Sequence, residues 1–304
     1  MRQTFINTLM ELSRENKEIF LLTGDLGFSV FEKFKEQFPR RFFDVGVAEQ
    51  NMIGIASGLA LSGKIAFAYS IIPFLTMRCF EQIRNDICYQ STNVKLVGVG
   101  AGFAYGSAGF THYAIEDIGI MRMLPNMVVV SPADTLEMEL TVRRSIEHNG
   151  PVYIRIGRAR ETIYSTKQNF KLGIGITVKE GKDITIFSTG DILENVIKVA
   201  EKLTECNISS RVISMHTVKP IDKEIILKAT KETRAIFTVE EHSVNGGLGS
   251  AVAEILSDYS CRNVLFKRIG ISEIFVKEVG DYKYLREKHN LSANAIFKTI
   301  IGLL

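Results

Sequence analysis

No window of the sequence approaches the roughly 18 uninterrupted apolar residues that a membrane-crossing helix needs. The start, Met1-Arg2-Gln3-Thr4, lacks the basic and then apolar pattern of a secretory signal. Together these absences point to a cytoplasmic protein with no membrane partner. Cysteine is scarce: Cys79, Cys88, Cys206 and Cys261 form no CxxC or other metal-ligand spacing, so they read as buried reduced thiols. A charge excess is missing too, since 37 basic against 34 acidic residues leave only +3. A nucleic-acid surface must neutralise many phosphates, so no nucleic acid is expected as a partner. Neither half of the chain opens with GxGxxG, and no Gly-Lys-Ser/Thr follows a glycine-rich loop, which argues against two dinucleotide-binding domains or a phosphate loop. Only six prolines, no low-complexity tract and no fixed-period repeat exclude collagen-like, disordered and solenoid classes.

What is present is a packed chain of 304 residues, 46% apolar and 23% charged, long enough for about two domains. Thr4 to Asn16 carries apolar residues at a near-3.6 period, and Ile19 to Leu22 follows as a short apolar run. The alternation continues with a helix at Val30 to Phe38, a strand at Phe42 to Val45, a helix at Glu49 to Leu61 and a strand at Ile65 to Tyr69. A long helix from Phe74 to Gln90, strands at Val94 to Val99, Met127 to Val130 and Val152 to Ile156, and helices near Ile115 to Met123 and at Ala133 to His148 complete the first half. Short, fully apolar strands between helices imply a parallel sheet covered on both faces. From Gly157 to Lys182 the apolar period fades into a polar, glycine-containing crossover. A second series of strands follows at Ile184 to Phe187, Arg211 to Met215, Ala235 to Val239 and Val264 to Ile269. The expected fold is therefore α/β, two layer domains with mostly parallel sheets, covering residues 1–160 and 182–304 around a linker at 161–181.

Three segments stand where chemistry gathers in such folds. Phe42 to Met52 runs from a strand through Gly46 into a helix whose first turn holds Glu49, which places a carboxyl at the carboxyl end of a parallel sheet. Complementing the helix dipole is the plainer role for that acid. Gly98 to His112 holds five glycines directly after a strand and ends on His112, either a binding loop or a flexible structural one. Thr238 to Ser250 is again strand, polar turn and glycine-opened helix, suited to an anion at a helix N-terminus or to a subunit interface.

Gly46-Val47-Ala48-Glu49-Gln50-Asn51, Thr111-His112-Tyr113-Ala114-Ile115-Glu116-Asp117, Leu124-Pro125-Asn126-Met127 with Pro132-Ala133-Asp134, and Glu240 to Gly249 resemble, in this order and spacing, the motifs of the transketolase family of thiamine-diphosphate enzymes. The resemblance covers nearly the whole chain and takes in the pyrimidine-binding and C-terminal domains. It implies that Glu49 bonds N1′ of the cofactor's aminopyrimidine, with Gln50 beside it, so that the exocyclic nitrogen can take the thiazolium C2 proton. It implies that Phe74 stacks on the pyrimidine, with core packing as its other role, and that Ile71 stands where many relatives carry a second phenylalanine. His112 matches the histidine that bonds the donor's oxygens, Arg158 the position of a phosphate-binding arginine, with Arg155 nearby in Arg155-Ile156-Gly157-Arg158, and Asp25 a segment near the substrate entrance. A solvated surface is the plainer place for the two arginines.

The family's Gly-Asp-Gly segment, followed some thirty residues later by Asn, does not occur here. The resemblance therefore implies a split transketolase in which a separate N-terminal subunit carries the diphosphate and Mg site. This chain would form a homodimer within a heterotetramer and act on a small sugar or sugar derivative. Gly100 and Ser107-Ala108 replace the histidine and Glu-Asp with which many relatives contact the sugar. Three alternatives remain open on the sequence: a 2-oxoacid dehydrogenase β-subunit, a deoxyxylulose-phosphate-synthase-like enzyme, and a non-catalytic interaction subunit.

Overall fold

The computed structural model describes residues 1–158, 162–164, 170–261 and 264–304. Twelve strands among them form two sheets. The larger contains β1 (Ile19–Thr23), β2 (Phe42–Asp44), β3 (Ile65–Ile71), β4 (Val94–Val99), β5 (Val128–Val130), β6 (Val152–Ile156) and β10 (Thr217–Lys219), in the order β10-β5-β6-β4-β3-β1-β2. The smaller contains β7 (Ile176–Lys179), β8 (Ile184–Thr189), β9 (Ser210–Ser214), β11 (Ala235–Ser243) and β12 (Leu265–Ile271), in the order β12-β11-β8-β9-β7. All pairings are parallel except β10 with β5 and β7 with β9. β3, β4, β6 and β8 are buried at every residue, because helices cover both faces, and their mostly apolar composition is the sequence's mark of that. No helix among the described residues is long and apolar enough to cross a membrane. All four cysteines are free thiols, but only Cys79 and Cys88 are buried as expected; Cys206, just past the end of a helix, is exposed, and Cys261 is half-buried.

Two edge strands depart from the expected layout. β7 lies inside the stretch read as an exposed crossover, of which residues 159–161 and 165–169 fall outside the described residues. β10 leaves the second half of the chain and closes the edge of the first sheet, with Thr217 opposite Val130. The expected long helix from Phe74 to Gln90 is also broken. A short helix at Ile72–Thr76, opened by Pro73, gives way to Phe80–Gln82 and then to a π-helical stretch at Ile83–Tyr89. At the break the Met77 and Arg78 amides both donate to the Pro73 carbonyl, at 3.1 and 3.4 Å, which widens the turn.

The two halves are joined through buried charge. Arg155, on β6 and 2% exposed, donates from Nε to Asp117 Oδ2 at 2.7 Å and from Nη2 to the carbonyls of Ala114 and Glu241. Tyr153 donates its hydroxyl to the same Asp117 oxygen. Glu241 in turn takes both hydrogen bonds of Arg286, which also pairs with Asp191 at 3.3 Å. Asp191 Oδ2 accepts from the Arg158 amide at 3.0 Å. Arg155 thus departs from both expectations for it: it neither faces solvent nor presents to a substrate, because its guanidinium is taken up by the seam. A second tie is Glu137, in the first turn of the helix Thr135–Glu147. Its Oε2 accepts from the Ala133 amide and its Oε1 from Ser214 Oγ on β9, while Asp134 caps the Glu137 amide.

Removing Asp117 leaves a buried cation uncompensated, so Asp117→Ala should cost on the order of 3–5 kcal/mol in urea unfolding. Burial, and next the charge of Asp134, push the Glu137 carboxyl up to about 8. Its folded value lies above its unfolded one, so the stability it contributes is fully present below the usual carboxylate range and is lost as pH rises to about 8. Urea midpoints should therefore favour Glu137→Gln over the wild type increasingly from pH 5 to about pH 8, by at most about 1.4 kcal/mol per pH unit, and no further above it.

Candidate active site

β4, β3, β1 and β2 lie side by side, and their carboxyl ends open onto one rim of the sheet. Chain segments meet closely there. A Cβ on Gly24, just beyond β1, would sit 3.2 Å from the Gly46 carbonyl and 3.7 Å from Glu49 Cγ, so these loops approach closely at a position that favours glycine. Asp44 ties the same loops together, its Oδ1 accepting from the amides of Asp25 at 2.9 Å and Gly46 at 3.1 Å.

Glu49 opens the helix Glu49–Leu61 but turns inward, 2% exposed. Its Oε1 accepts from Ser70 Oγ at 3.3 Å, at the end of β3, and its Oε2 from Arg78 Nη1 at 2.7 Å. That is more than dipole complementation, since a carboxylate withdrawn from water needs specific donors. The same Arg78 lies against the half-buried Phe74 ring, its guanidinium carbon 4.6 Å from the ring's centroid. His112 meets the Phe74 ring edge-on at 5.1 Å, and its Nδ1 is 3.0 Å from Thr111 Oγ1. Gln50 donates to the Arg78 carbonyl at 3.1 Å, and Ile71 is buried in the apolar cluster against which Phe74 packs. The structure thus brings Glu49, Gln50 and Phe74 together around Arg78, a residue that sequence reasoning misses, and sets His112 against Phe74. Its spacing of four from Phe74 is a signal, hidden by the expectation of a continuous helix.

Next to this cluster is a cavity of about 640 Å³ lined by Arg2, Ser29, Gly100, Tyr105, Ser107 and Arg158 among others. Two guanidinium groups with hydroxyls suit an anionic ligand group. Arg158 is exposed there, its guanidinium carbon 4.8 Å from the centre of the Tyr282 ring. Tyr105 connects cavity and cluster, 6.3 Å from His112. Its ring fills the space where a side chain on Gly100 would begin, 2.4 Å from a Cβ built there, and Gly100 has a φ of +97°. Asp25 is exposed beyond β1 with φ +56°, outside the cavity lining. Nothing in the sequence marks Arg2 or Ser29, which lie far from Arg158 along the chain.

The Glu240 to Gly249 segment is self-satisfied. Glu240 accepts from the amides of Leu248 and Gly249 at 2.7 and 2.8 Å and so occupies the helix N-terminus where an external anion was one expectation. Burial raises its carboxyl to about 7. His242 Nε2 accepts from the Gly119 amide at 3.2 Å, which leaves its Nδ1 to donate to the Ser243 carbonyl.

Residues 1–161 match the transketolase pyrimidine-binding domain and residues 173–296 the transketolase C-terminal domain. The chain belongs to the transketolase family. Among relatives of this transketolase chain is a 6-deoxy-6-sulfo-D-fructose transketolase subunit of Clostridium sp. MSTE9, 39% identical over 98% of this chain and 92% of its own length. Another is a subunit of an apulose-4-phosphate transketolase of Phocaeicola vulgatus, 40% identical over 84% of this chain and 83% of its own. A solved split-gene transketolase, described as an inactive β4 tetramer, superposes with a TM-score of 0.90 at 40% identity, covering 99% of this chain and 97% of that one.

Proposed function

We propose that the chain is the C-terminal subunit of a split, thiamine-diphosphate-dependent transketolase. In this reading it transfers a two-carbon ketol unit from a ketose with an anionic terminus to an aldehyde acceptor. The observation that carries the reading is the buried Glu49 carboxyl and the half-buried Phe74 ring meeting at one guanidinium, that of Arg78. A carboxyl beside an aromatic face fits the aminopyrimidine half of the cofactor. Among the described residues, no group of three or more His, Cys, Asp or Glu is placed to hold a metal ion. We assign the diphosphate and Mg²⁺ to a second subunit, in a two-plus-two assembly built on a homodimer of this chain in the cytoplasm. Support comes from the relatives named as subunits and from the neighbour described as an inactive β4 tetramer.

When bound, the cofactor supplies a nucleophilic carbon and an electron sink for breaking the ketose C2–C3 bond. Residues of this chain bind the ring and orient the donor. Glu49 holds a proton at N1′, with Ser70 fixing the Oε1 edge of its carboxyl. Phe74 presents the face on which the ring rests, and its edge contact with His112 positions that imidazole to hydrogen-bond the donor's oxygens. Arg158 and Arg2 hold the anionic terminus across the cavity, and Tyr105 walls the passage between the two ends. Phosphate and sulfonate are both suited to a pair of guanidinium groups, consistent with relatives named for a phosphorylated and a sulfonated sugar. Asp25 borders the entrance.

In the complex reconstituted with a subunit that carries Gly-Asp-Gly, Glu49→Gln should lower kcat by on the order of 10²–10⁴ while sedimentation shows the assembly intact; an unchanged rate overturns the assignment. Arg158→Ala should raise KM for a phosphorylated ketose about 10- to 100-fold with little change in kcat, and equal KM values would remove the anion assignment.

A further inference from the structure

Arg78 makes two contacts that matter together. Its guanidinium donates to Glu49 Oε2 at 2.7 Å and lies 4.6 Å from the centroid of the Phe74 ring. A hydrogen bond to that carboxyl and a seat on that ring are the contacts given above to the cofactor's aminopyrimidine. A guanidinium is a planar, N–H-donating, weakly hydrated group, able to satisfy a buried carboxylate and an aromatic face at once. One carboxylate oxygen and one ring face cannot serve Arg78 and the aminopyrimidine at the same time.

The two sides of Glu49 differ in how freely they can yield. Ser70, on its Oε1, is fully buried at the end of β3. Arg78, on its Oε2, is 45% exposed and follows the wide turn at Pro73, so its side chain reaches water without disturbing the sheet. We propose that Arg78 is a resident stand-in for the cofactor's pyrimidine ring: it fills the seat formed by Glu49 and Phe74 in the free chain and swings into solvent when the ring enters. This rests on the reading of Glu49 and Phe74 given above. Cofactor affinity is then set by an exchange of one planar cation for another group, and is lower than the seat's intrinsic affinity by the fraction of time Arg78 holds it. In return, the buried carboxylate is never left without a donor.

Calorimetric titration of the reconstituted complex with thiamine diphosphate and Mg²⁺ tests the exchange. Arg78→Gln should bind on the order of 3- to 10-fold tighter than the wild type, the strength expected of a half-exposed ion pair with a cation–π contact, and Arg78→Lys should fall between them. Equal or weaker cofactor binding by Arg78→Gln overturns the stand-in role. Glu49→Gln separates the two readings. If it loses affinity while Arg78→Gln gains none, only the stand-in proposal falls; if it binds as the wild type does, the pyrimidine assignment itself falls.

Discussion

A guanidinium with almost no access to water holds this molecule together. Arg155 exchanges hydrogen bonds with Asp117 on its own side of the seam and with the Glu241 carbonyl on the other. Removing such a cation from water costs several kcal/mol, and the cost is offset only when each N–H finds a well-placed acceptor. That demand fixes how the two halves meet. From Glu241 the pairing passes to Arg286 and Asp191 and ends on the Arg158 amide. The exposed arginine at the cavity therefore takes its position from a backbone anchored by buried charges, and a surface loop gains the precision of a strand.

The rim of the larger sheet shows the same logic on a smaller scale. Glu49, Phe74 and His112 come from three different connections, each leaving the carboxyl end of a parallel strand. None of these side chains is held by its own connection alone. Glu49 is held by Ser70 and Arg78, Phe74 by the cluster around β3, and His112 by Thr111 and the Phe74 ring. The site is a convergence of loops whose registry the sheet enforces, so chemistry far apart in the chain meets within a few ångströms.

Most of the architecture is legible in the sequence because apolar runs buried on both faces leave a strong mark. β3 and β4 are apolar nearly throughout, and their expected positions lie close to the observed ones. β7 and β10 leave no such mark, being short, antiparallel edge strands whose pairing is decided by distant residues rather than by their own pattern. Glu49, Phe74 and His112 are found through motif resemblance. Arg78 escapes because a 3.6-residue period reads straight through the wide turn at Pro73, and a pattern of apolar residues carries no sign of where a helix loosens. Arg2 and Ser29 escape for a plainer reason: a cavity assembled from separate chain segments has no linear signature. Arg155 is misread because one sequence cannot distinguish an arginine that meets a ligand from one that fastens two halves.

β10 has a bearing on how such a chain can be divided. It begins well past the crossover, yet it completes the edge of the earlier sheet beside Val128–Val130. A cut at the crossover would strip that edge of its cover and leave an open row of amides and carbonyls ready to recruit a foreign strand. The two halves thus share one edge even though each has its own sheet. A break in the gene at the linker, which looks on paper like the natural place to part them, would separate β10 from the sheet whose edge it closes.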